Sequence, residues 1–595
     1  MFVGCVALAT SCDLTENVQV KADKSMIFGS KSGLELYSNS FYKALPTLKN
    51  GFMQDKMCDV GAVSNTDTFI KQGAYNTETA TSWSWGALKN INYFIDGCND
   101  PKYCTVEAET RDNYLGIARW FRAWFYYDKL TTYGEVPWFP NDIQSYQNDV
   151  MYKDRDSRDV IIRNLIADLD FAYEHIQATS STGSSTLTRW AAAALKSRVC
   201  LFEAAYRRYH NLTELEITPE ELYREAAKAA KLVIDNSGCS LNTATGKKGA
   251  YRDLFYNETP LTQEVILAVC ANEKSGIFGE QNWWFNARSY GLCWSLVRSF
   301  VHTYLKQDGT PFTAAADYAV KSFAEEMEGR DLRLEQTVRG RNFLWDGKTA
   351  VADIKNLSLT GYQVIKYTLD ESKYDGGAKN INSIPLIRYA EVLLNYAEAQ
   401  AELGIIIDSE WALTVGALRK RAGITGGTET LPTTVDGYLQ RTFYPDVTSP
   451  VLLEIRRERA IELVAEGMRF DDLRRWKCGS LMETLPWSGI HIPGLEQPVD
   501  VNGDGVDDYY FTEGEVTAAP AAYRNIAIRV NQDGVGLYAE ANAVAGYDLV
   551  YKTGAGDRYW YPDGRQYLYP IPAKVIRDYR NAGYTISQNP EWDNE

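Results

Sequence analysis

The most distinctive segment of this 595-residue sequence is Glu454-Ile455-Arg456-Arg457-Glu458-Arg459-Ala460-Ile461-Glu462-Leu463-Val464-Ala465-Glu466-Gly467-Met468-Arg469-Phe470-Asp471-Asp472-Leu473-Arg474-Arg475-Trp476. Acids and bases recur three residues apart in its first half, as in Glu454 with Arg457 and Arg459 with Glu462. Pairs at this spacing lie on one face of a helix and stabilise it. We therefore interpret these charges as structural support for a helix and not as a catalytic set.

Long amphipathic segments elsewhere in the chain predict that helix dominates the fold. Hydrophobic residues recur at helical spacing in 82–96, 111–132 and 189–210. Pro219, followed by two glutamates, predicts the start of another helix, and small residues on one face of 388–404 allow close helix packing. Helix pairs with bulky aromatic residues first and alanines later resemble tetratricopeptide hairpins of irregular period. We predict a mostly α, degenerate tetratricopeptide-like solenoid that serves as a scaffold.

Two regions rich in Gly, Asn, Asp and Pro, 239–383 and 485–569, interrupt the helical pattern. They contain short β-prone runs such as Glu264–Val269 and Tyr567–Ile571. We expect an irregular, loop-rich half with short strands, in which functional residues tend to lie. Because no linker divides the chain, we predict one body over residues 25–595.

The N-terminal residues resemble a bacterial lipoprotein leader. A short apolar run ends with Leu8-Ala9-Thr10-Ser11-Cys12 and is followed by a polar stretch. We predict a signal peptide over residues 1–12, lipidation at Cys12 and a tether over residues 13–24. The run lacks the usual basic start, so we expect that the leader begins upstream of Met1. The alternative is a cytosolic protein with an apolar start by chance.

Charge and cysteine content exclude several classes of partner and site. The net charge of -16 argues against nucleic acid and anionic lipid as partners, since both require basic patches. The cysteines show no Cys-x-x-Cys spacing of the zinc or redox type. Only Cys98 and Cys104 are close enough in sequence to propose a local disulfide.

Two aromatic stretches in polar company are candidates for carbohydrate binding, because flat rings stack on sugars while amides and carboxylates bind hydroxyls. The first contains two tryptophans near the start of a helix, and the second lies in a loop-rich region. Each ring has core packing as its alternative role, since tryptophan is usually buried. The candidates are Trp83 and Trp85 in the first stretch, and Trp283, Trp284, Tyr290 and Trp294 in the second.

The segment 500–508 resembles the start of an EF-hand calcium loop. Side-chain oxygens occur at its first, third, fifth and ninth positions, and glycine occupies the sixth. The twelfth position is Phe511, so the usual bidentate carboxylate is missing. A metal-free loop of Asx turns is the alternative. The predicted calcium ligands are Asp500, Asn502, Asp504 and Asp508.

Signatures of an enzyme are weak in this sequence. The four histidines are widely separated, and neither a Gly-x-Ser-x-Gly elbow nor a phosphate-binding glycine motif occurs. A glycosidase needs only two carboxylates, and 78 acidic residues leave that reading open. Nothing in the sequence singles out such a pair, so we predict a protein without catalytic activity.

Several motifs, in order along the chain, carry a resemblance to the SusD/RagB family. The segment from Glu458 to Trp476 resembles the family's Glu-Arg-rich helix and its Glu-Gly-x-Arg-aromatic-x-Asp-Leu continuation. Glu591 replaces a usual glycine in the C-terminal motif. The other matching elements are Arg119 to Tyr133 with Gly134, Val136 and Pro137; Ile384 to Leu394; Tyr569-Pro570-Ile571-Pro572; and Gln588-Asn589-Pro590-Glu591-Trp592.

This resemblance implies four tetratricopeptide-like helix pairs that carry an irregular ligand-binding half. It also implies an outward-facing lipid anchor on the outer membrane of a Gram-negative bacterium, and a TonB-dependent transporter as partner. The implied function is capture of an oligosaccharide without cleavage. Carried over to this chain, the glycan-binding rings would be Trp83, Trp85, Trp283, Trp284 and Tyr290, with Asp59 as a reader of hydroxyls. Capture of peptides or of another nutrient is the alternative, followed by a glycoside hydrolase.

Overall fold

The computed structural model describes residues 24–49, 53–144, 146–286, 292–354, 356–552 and 557–593 and confirms the mostly helical prediction. In these ranges no helix combines the length and the apolar character that a membrane span requires. The predicted leader and tether, with Cys12, lie outside the described residues.

Long helices form the scaffold, and each packs against the next one in chain order. That arrangement is the predicted solenoid, in which neighbours bury each other's apolar faces. The helices are α1 (Gly86–Asn99), α2 (Ala108–Tyr133), α3 (Arg158–His175), α4 (Arg189–Tyr209), α5 (Pro219–Asn236), α6 (Tyr389–Glu402) and α7 (Pro450–Glu462).

Local sequence sets the ends of these helices. Thr218 and Glu221 form a capping box at the start of α5, where the Glu221 amide donates to Thr218 Oγ1 (3.2 Å) and the Thr218 amide donates to Glu221 Oε2 (2.8 Å). Helix α2 ends at Gly134, whose φ of 75° favours glycine, and a Cβ at this position would lie 2.8 Å from Arg158 Nη1. The capping box and the position of Pro219 in the first turn confirm the predicted start of α5.

Shorter helices fill the remainder of the described chain. Two of them are α8 (Arg469–Arg475), which lies within the family-like segment 458–476, and α9 (Ala573–Asn581), which lies between the two C-terminal motifs. The others are Lys24–Phe28, Lys31–Ser38, Asn148–Met151, Asp253–Tyr256, Gln281–Asn286, Arg298–Val301, Phe323–Met327, Arg333–Thr337, Asp408–Leu413, Val415–Arg421, Gly437–Phe443 and Leu481–Thr484.

Small sheets make up the β content of the described residues. Val265–Val269 pairs with Ile384–Arg388 in antiparallel fashion, which confirms the predicted strand at 264–269. Two of the sheets have three strands each. In the first, Tyr547–Tyr551 lies between Leu537–Ala541 and Ser488–Ile492, and in the second, Tyr509–Thr512 lies between Ala527–Arg529 and Pro498–Val499. Two-residue pairs join Gly61–Ala62 to Ser295–Leu296 and Leu344–Trp345 to Lys348–Thr349.

The strand predicted at Tyr567–Ile571 is wrong. Arg565–Tyr567 forms a 3-10 turn, and residues 568–571 pair with no strand of the described chain. Pro570 and Pro572 have no amide hydrogen to donate to a ladder. The amide of Tyr569 donates instead to the carbonyl oxygen of Thr132 at the end of α2 (2.7 Å).

A buried cluster of ions joins α7 to the loop-rich half. Glu462 is buried, its Oε1 accepts from Arg388 (2.6 Å) and from Arg421, and its Oε2 accepts from Arg333 (2.8 Å). Burial alone would raise the pKa of Glu462, but these guanidinium groups hold it well below its usual range. The charged segment at 454–462 is therefore structural, as predicted.

The two ion pairs predicted within this segment have different outcomes. Glu454 and Arg457 do pair at 3.3 Å. The predicted pair of Arg459 with Glu462 is wrong, because Arg459 pairs with Asp472 of α8 at 2.8 Å. The eight cysteines in the described chain are all free thiols, so the disulfide that the spacing of Cys98 and Cys104 allows is not formed.

Candidate functional site

A cleft of about 820 Å³ lies between the N-terminal end of α1 and the C-terminal helix α9. Its volume is in the usual range for small-molecule sites. We call it the tryptophan cleft, because two of the predicted candidates, Trp83 and Trp85, line it together. Further aromatic and apolar side chains complete its wall: Leu88, Phe139, Ile143, Met151, Tyr152, Val575 and Tyr579.

Packing against neighbouring rings fixes both tryptophans. Trp83 contacts Trp85 (5.3 Å between ring centroids, 72°) and Tyr133 (4.9 Å, 75°). Trp85 also contacts Phe139 (5.3 Å, 80°) and Phe125 (5.6 Å). Edge-to-face contacts of this kind are favourable and orient the rings. Both indoles are half-buried, so each is held by the core and still reaches the cleft.

The backbone leading into α1 explains why these two rings share one side. Residues 81–85 are not helical: the amide of Ser84 donates to the carbonyl oxygen of Ser82 (3.1 Å), which turns the chain at Trp83 before α1 begins. Trp83 and Trp85 accordingly line the tryptophan cleft, whereas Ser82 lies on the other side of the segment. The Ser82 and Tyr133 hydroxyls share a hydrogen bond of 2.7 Å, which fastens the segment to α2.

Polar groups in the cleft fall into a structural set and a rim. Asn92 is buried and donates to the carbonyl oxygens of Phe139 (2.8 Å) and Asn141 (3.0 Å), so its amide supports the wall. At the rim, ion pairs join Arg577 to Glu78 (2.6 Å) and Lys574 to Asp578 (2.7 Å). Lys89 is exposed and makes no ion pair with the residues that the structure describes.

Tyr579 and Tyr152 form the wall opposite the tryptophans. The Tyr579 hydroxyl donates to the Lys153 carbonyl (3.3 Å), and burial raises the pKa of Tyr579 to about 12, so the phenol is neutral at physiological pH. Tyr152 stacks on Tyr584 (5.4 Å, 15°). Aromatic walls with an ionic rim suit a ligand that has an apolar face and polar edges, as a sugar ring has.

The second predicted aromatic stretch lies elsewhere. Trp283 and Trp284 are half-buried on the helix Gln281–Asn286, with ring centroids 5.0 Å apart, and neither lines the tryptophan cleft. Tyr290 lies outside the described residues. The structure therefore brings Trp83 and Trp85 together and does not bring Trp283 and Trp284 to them. Contact of any of these rings with a ligand stays a prediction.

Two predicted contact residues are placed in the interior instead. Asp59 is buried, and its two oxygens accept from Arg469 Nε and Nη2 at 2.7 Å each, so its carboxylate is engaged within the protein. Trp294 is 3% exposed, and its indole packs against Gly61, where a Cβ would lie 2.5 Å from the ring. Neither residue belongs to the candidate site, because each is enclosed by its own structural partners.

The predicted calcium loop adopts a turn held by its own backbone. Asp500 accepts from the amides of Gly503 (2.7 Å) and Gly505 (2.7 Å), and Asp508 accepts from the amide of Val501 (2.8 Å). Asn502 Nδ2 donates to Asp504 Oδ2 (3.1 Å). Among the described residues no group of three or more His, Cys, Asp or Glu side chains is arranged to hold a metal ion. Calcium binding stays a prediction.

Sequence reasoning missed the far wall of the tryptophan cleft. Val575 and Tyr579 come from α9, whereas Met151 ends the short helix Asn148–Met151 and Tyr152 follows it. The available signal was the family-like Tyr569-Pro570-Ile571-Pro572 motif directly before α9. That motif marks the chain directly before α9 but does not say which surface the helix covers.

Comparison with known proteins agrees with this fold. A model of the SusD family matches residues 263–592. A SusD-like protein of Formosa agariphila is 25% identical over 378 residues, which make up 61% of this chain and 66% of that protein, slightly less than two thirds of its length.

Solved structures match over almost the whole chain. A SusD-like protein from Bacteroides fragilis has a TM-score of 0.66 at 21% identity and covers 96% of this chain and 98% of its own. A SusD-like carbohydrate binding protein from the same species has a TM-score of 0.67 at 19% identity, with coverage of 93% and 99%. Identities this low support a common fold.

Proposed function

The chain belongs to the SusD family, and we propose that it binds oligosaccharides in the tryptophan cleft without cleaving them. The observation that carries this proposal is the pairing of two fixed, half-buried indoles with an apolar wall and an ionic rim in one cleft of about 820 Å³. Sugar rings bind to such surfaces through their C–H faces, while charged rim groups bind their hydroxyls.

The finer parts of the proposal concern location and partner. We propose that Cys12 carries a lipid, that the body lies on the outer surface of the outer membrane, and that the bound oligosaccharide passes to a TonB-dependent transporter. The leader-like residues 1–12 and the family membership support this part.

The test begins with a glycan array on the lipid-free protein, followed by calorimetry with the strongest ligand. Trp83→Ala and Trp85→Ala should each weaken binding by about 1–3 kcal/mol, the range for stacking of a ring on a planar ligand. Trp345→Ala is the matched control, because Trp345 is also half-buried but lies on a hairpin away from the cleft. Its affinity should equal that of the wild type.

Three outcomes separate the alternatives. If both cleft variants bind like the wild type while Trp283→Ala does not, the ligand binds at the second aromatic stretch. Release of reducing ends by the purified protein, abolished by one Asp or Glu substitution, would replace the proposal with a glycoside hydrolase. If the array is silent and a peptide library binds, the protein captures peptides.

A further inference from the structure

A second cleft, of about 940 Å³, lies on the other side of the segment 81–87. Ser82 and Ala87 line it, whereas Trp83 and Trp85 line the tryptophan cleft. Its walls come from the C-terminal half of α2, from the start of α8 and from residues 44–47. We call it the lysine cleft, after Lys129 of α2.

Lys129, like Arg198 and Arg474, is a buried cation of this cleft, and its contacts within the described chain leave its ammonium group without a close acceptor. The residue is 6% exposed, and its ammonium lies 3.5 Å from the carbonyl oxygen of Ser82 and 3.6 Å from the carboxylate of Asp128. Both distances exceed the usual 2.7–3.2 Å, and an ammonium has three hydrogens to donate. Phe125 and Tyr133 offer ring faces at 5.3 and 5.7 Å. A buried ammonium with such long contacts favours a ligand that supplies acceptors.

The carboxylates of Asp128 and Asp471 and the guanidinium group of Arg198 line the cleft together with Lys129. Asp128 is mostly exposed and has Lys129 as its ion-pair partner. Asp471 accepts from Arg474 through Oδ1 (2.5 Å), and no hydrogen bond to Oδ2 is found within the described chain. Arg198 uses Nε and Nη2 on Glu391 and Leu386, and its Nη1 makes no hydrogen bond to a described residue. The cleft therefore offers unused donors and unused acceptors side by side.

This balance of charge selects the chemical class of the ligand. Lys56 and Arg474 also line the cleft, but Lys56 pairs with Asp67 (2.7 Å) and Arg474 pairs with Asp471. An anionic ligand would be repelled by Asp128 and Asp471, and a cationic ligand would be repelled by Lys129 and Arg198. A hydroxyl group both donates and accepts, so a neutral, hydroxyl-rich molecule can use all four side chains.

Aromatic side chains supply the apolar part of the same surface. Trp124 is half-buried and stacks on the buried Trp120 (5.4 Å, 13°), which fixes its ring at the edge of the cleft. Phe125 is also half-buried, and its ring contacts Trp85 of the tryptophan cleft (5.6 Å). The two clefts therefore share a wall made of the Trp85 and Phe125 rings.

We infer that the lysine cleft is a second binding site for a neutral saccharide, distinct from the tryptophan cleft. Lys129 donates to the ligand's hydroxyl oxygens, Asp471 accepts from its hydroxyl groups, and Trp124 contacts its apolar face. The inference rests on the proposed function, because it assumes that saccharides are the ligands of this protein.

The test counts bound molecules by native mass spectrometry and measures affinities by calorimetry. The probes are maltotriose, cellotriose, laminaritriose, xylotriose and mannotriose. The wild type should bind two molecules of at least one probe. Lys129→Met should remove one of them, or weaken it by about tenfold or more, since hydrogen bonds to charged groups are the strong ones. Trp83→Ala, whose ring is not part of the shared wall, should lose the other molecule or weaken its binding by about tenfold.

Controls and opposite results make the outcomes distinct. Lys228→Met, at an exposed lysine of α5, should keep both molecules. If Lys129→Met proves unstable by thermal melting, Asp128→Asn at the exposed carboxylate replaces it and should weaken the same molecule. A wild type that binds one molecule, weakened by Trp83→Ala and not by Lys129→Met, overturns the second site and leaves the proposed function intact. A wild type that binds none of the probes and nothing on the glycan array overturns both.

Discussion

Replacing Glu462 with glutamine perturbs the centre of the buried ion cluster at nearly constant volume. The carboxylate accepts from three arginines, Arg388 (2.6 Å), Arg333 (2.8 Å) and Arg421, which come from three separate parts of the chain. Glutamine can keep one oxygen acceptor, but its amide nitrogen places hydrogens against a guanidinium group. The variant also removes the negative charge that compensates these buried cations.

The structure gives the magnitude of the expected loss. Removing one member of a buried pair typically costs about 3–5 kcal/mol, because a buried charge is left without compensation. With an unfolding entropy of about 2.1 cal/mol/K per residue, 595 residues correspond to roughly 1.2 kcal/mol/K. We therefore expect Glu462→Gln to lower Tm by about 2–4 °C if the body unfolds as one unit.

Differential scanning calorimetry at neutral pH measures this shift. Glu513→Gln is the control, because Glu513 is an exposed glutamate on a loop and should change Tm by well under a degree. The pKa of Glu462 is held well below its usual range in the folded protein. The stabilisation that its carboxylate contributes is therefore complete above the pKa of a glutamate in the unfolded chain, and it is lost as the pH falls from there through the lower pKa of the folded state. A Tm equal to that of the wild type would refute the assignment of the cluster as a structural centre.

Three further perturbations have defined outcomes. Cys12→Ala should release the protein into the medium, while protease added to intact wild-type cells should digest the body; a protected body would contradict surface exposure. Calcium should raise Tm, chelator should lower it, and Asp500→Ala should abolish both effects. If elemental analysis finds no bound metal, the loop at 500–508 is a metal-free turn. Burial raises the pKa of Asp55 to about 7, so its contribution to stability falls as pH rises from about 4 to 7. Urea titrations of Asp55→Asn should therefore show a weaker loss of stability over that range, and an unchanged slope would exclude Asp55 as the cause.

Local patterns in the sequence predicted the helices well, because amphipathic spacing and caps act within a few turns. The start of α5 at Pro219 is one example, since the capping box needs only Thr218 and Glu221. Partner choice over long distances was not predictable in the same way. Arg459 and Glu462 have helical spacing, yet Arg459 pairs with Asp472 and Glu462 pairs with Arg388, because partners from other segments compete with the local pair.

In the candidate site, too, the sequence identified some residues correctly and only the fold could place the others. Two tryptophans in polar company at a helix start were recognisable from sequence, and the structure places both in one cleft. Asp59 and Trp294 were indistinguishable from them by composition. Only the fold shows that Arg469 encloses the first and that Gly61 leaves room for the ring of the second.

Closure of the tryptophan cleft depends on contacts between the two ends of the chain. The amide of Ala573 at the start of α9 donates to the carbonyl oxygen of Thr77 (2.9 Å), and Gln566 Nε2 donates to the carbonyl oxygen of Phe69 (2.7 Å). The Phe69 and Tyr569 rings stack at 3.9 Å. Because α9 forms one wall and the segment after Thr77 carries the tryptophans, these contacts fix the distance between the walls. Ligand affinity in this site is therefore tied to the docking of the C-terminal segment, although the residues that join the walls are almost five hundred positions apart.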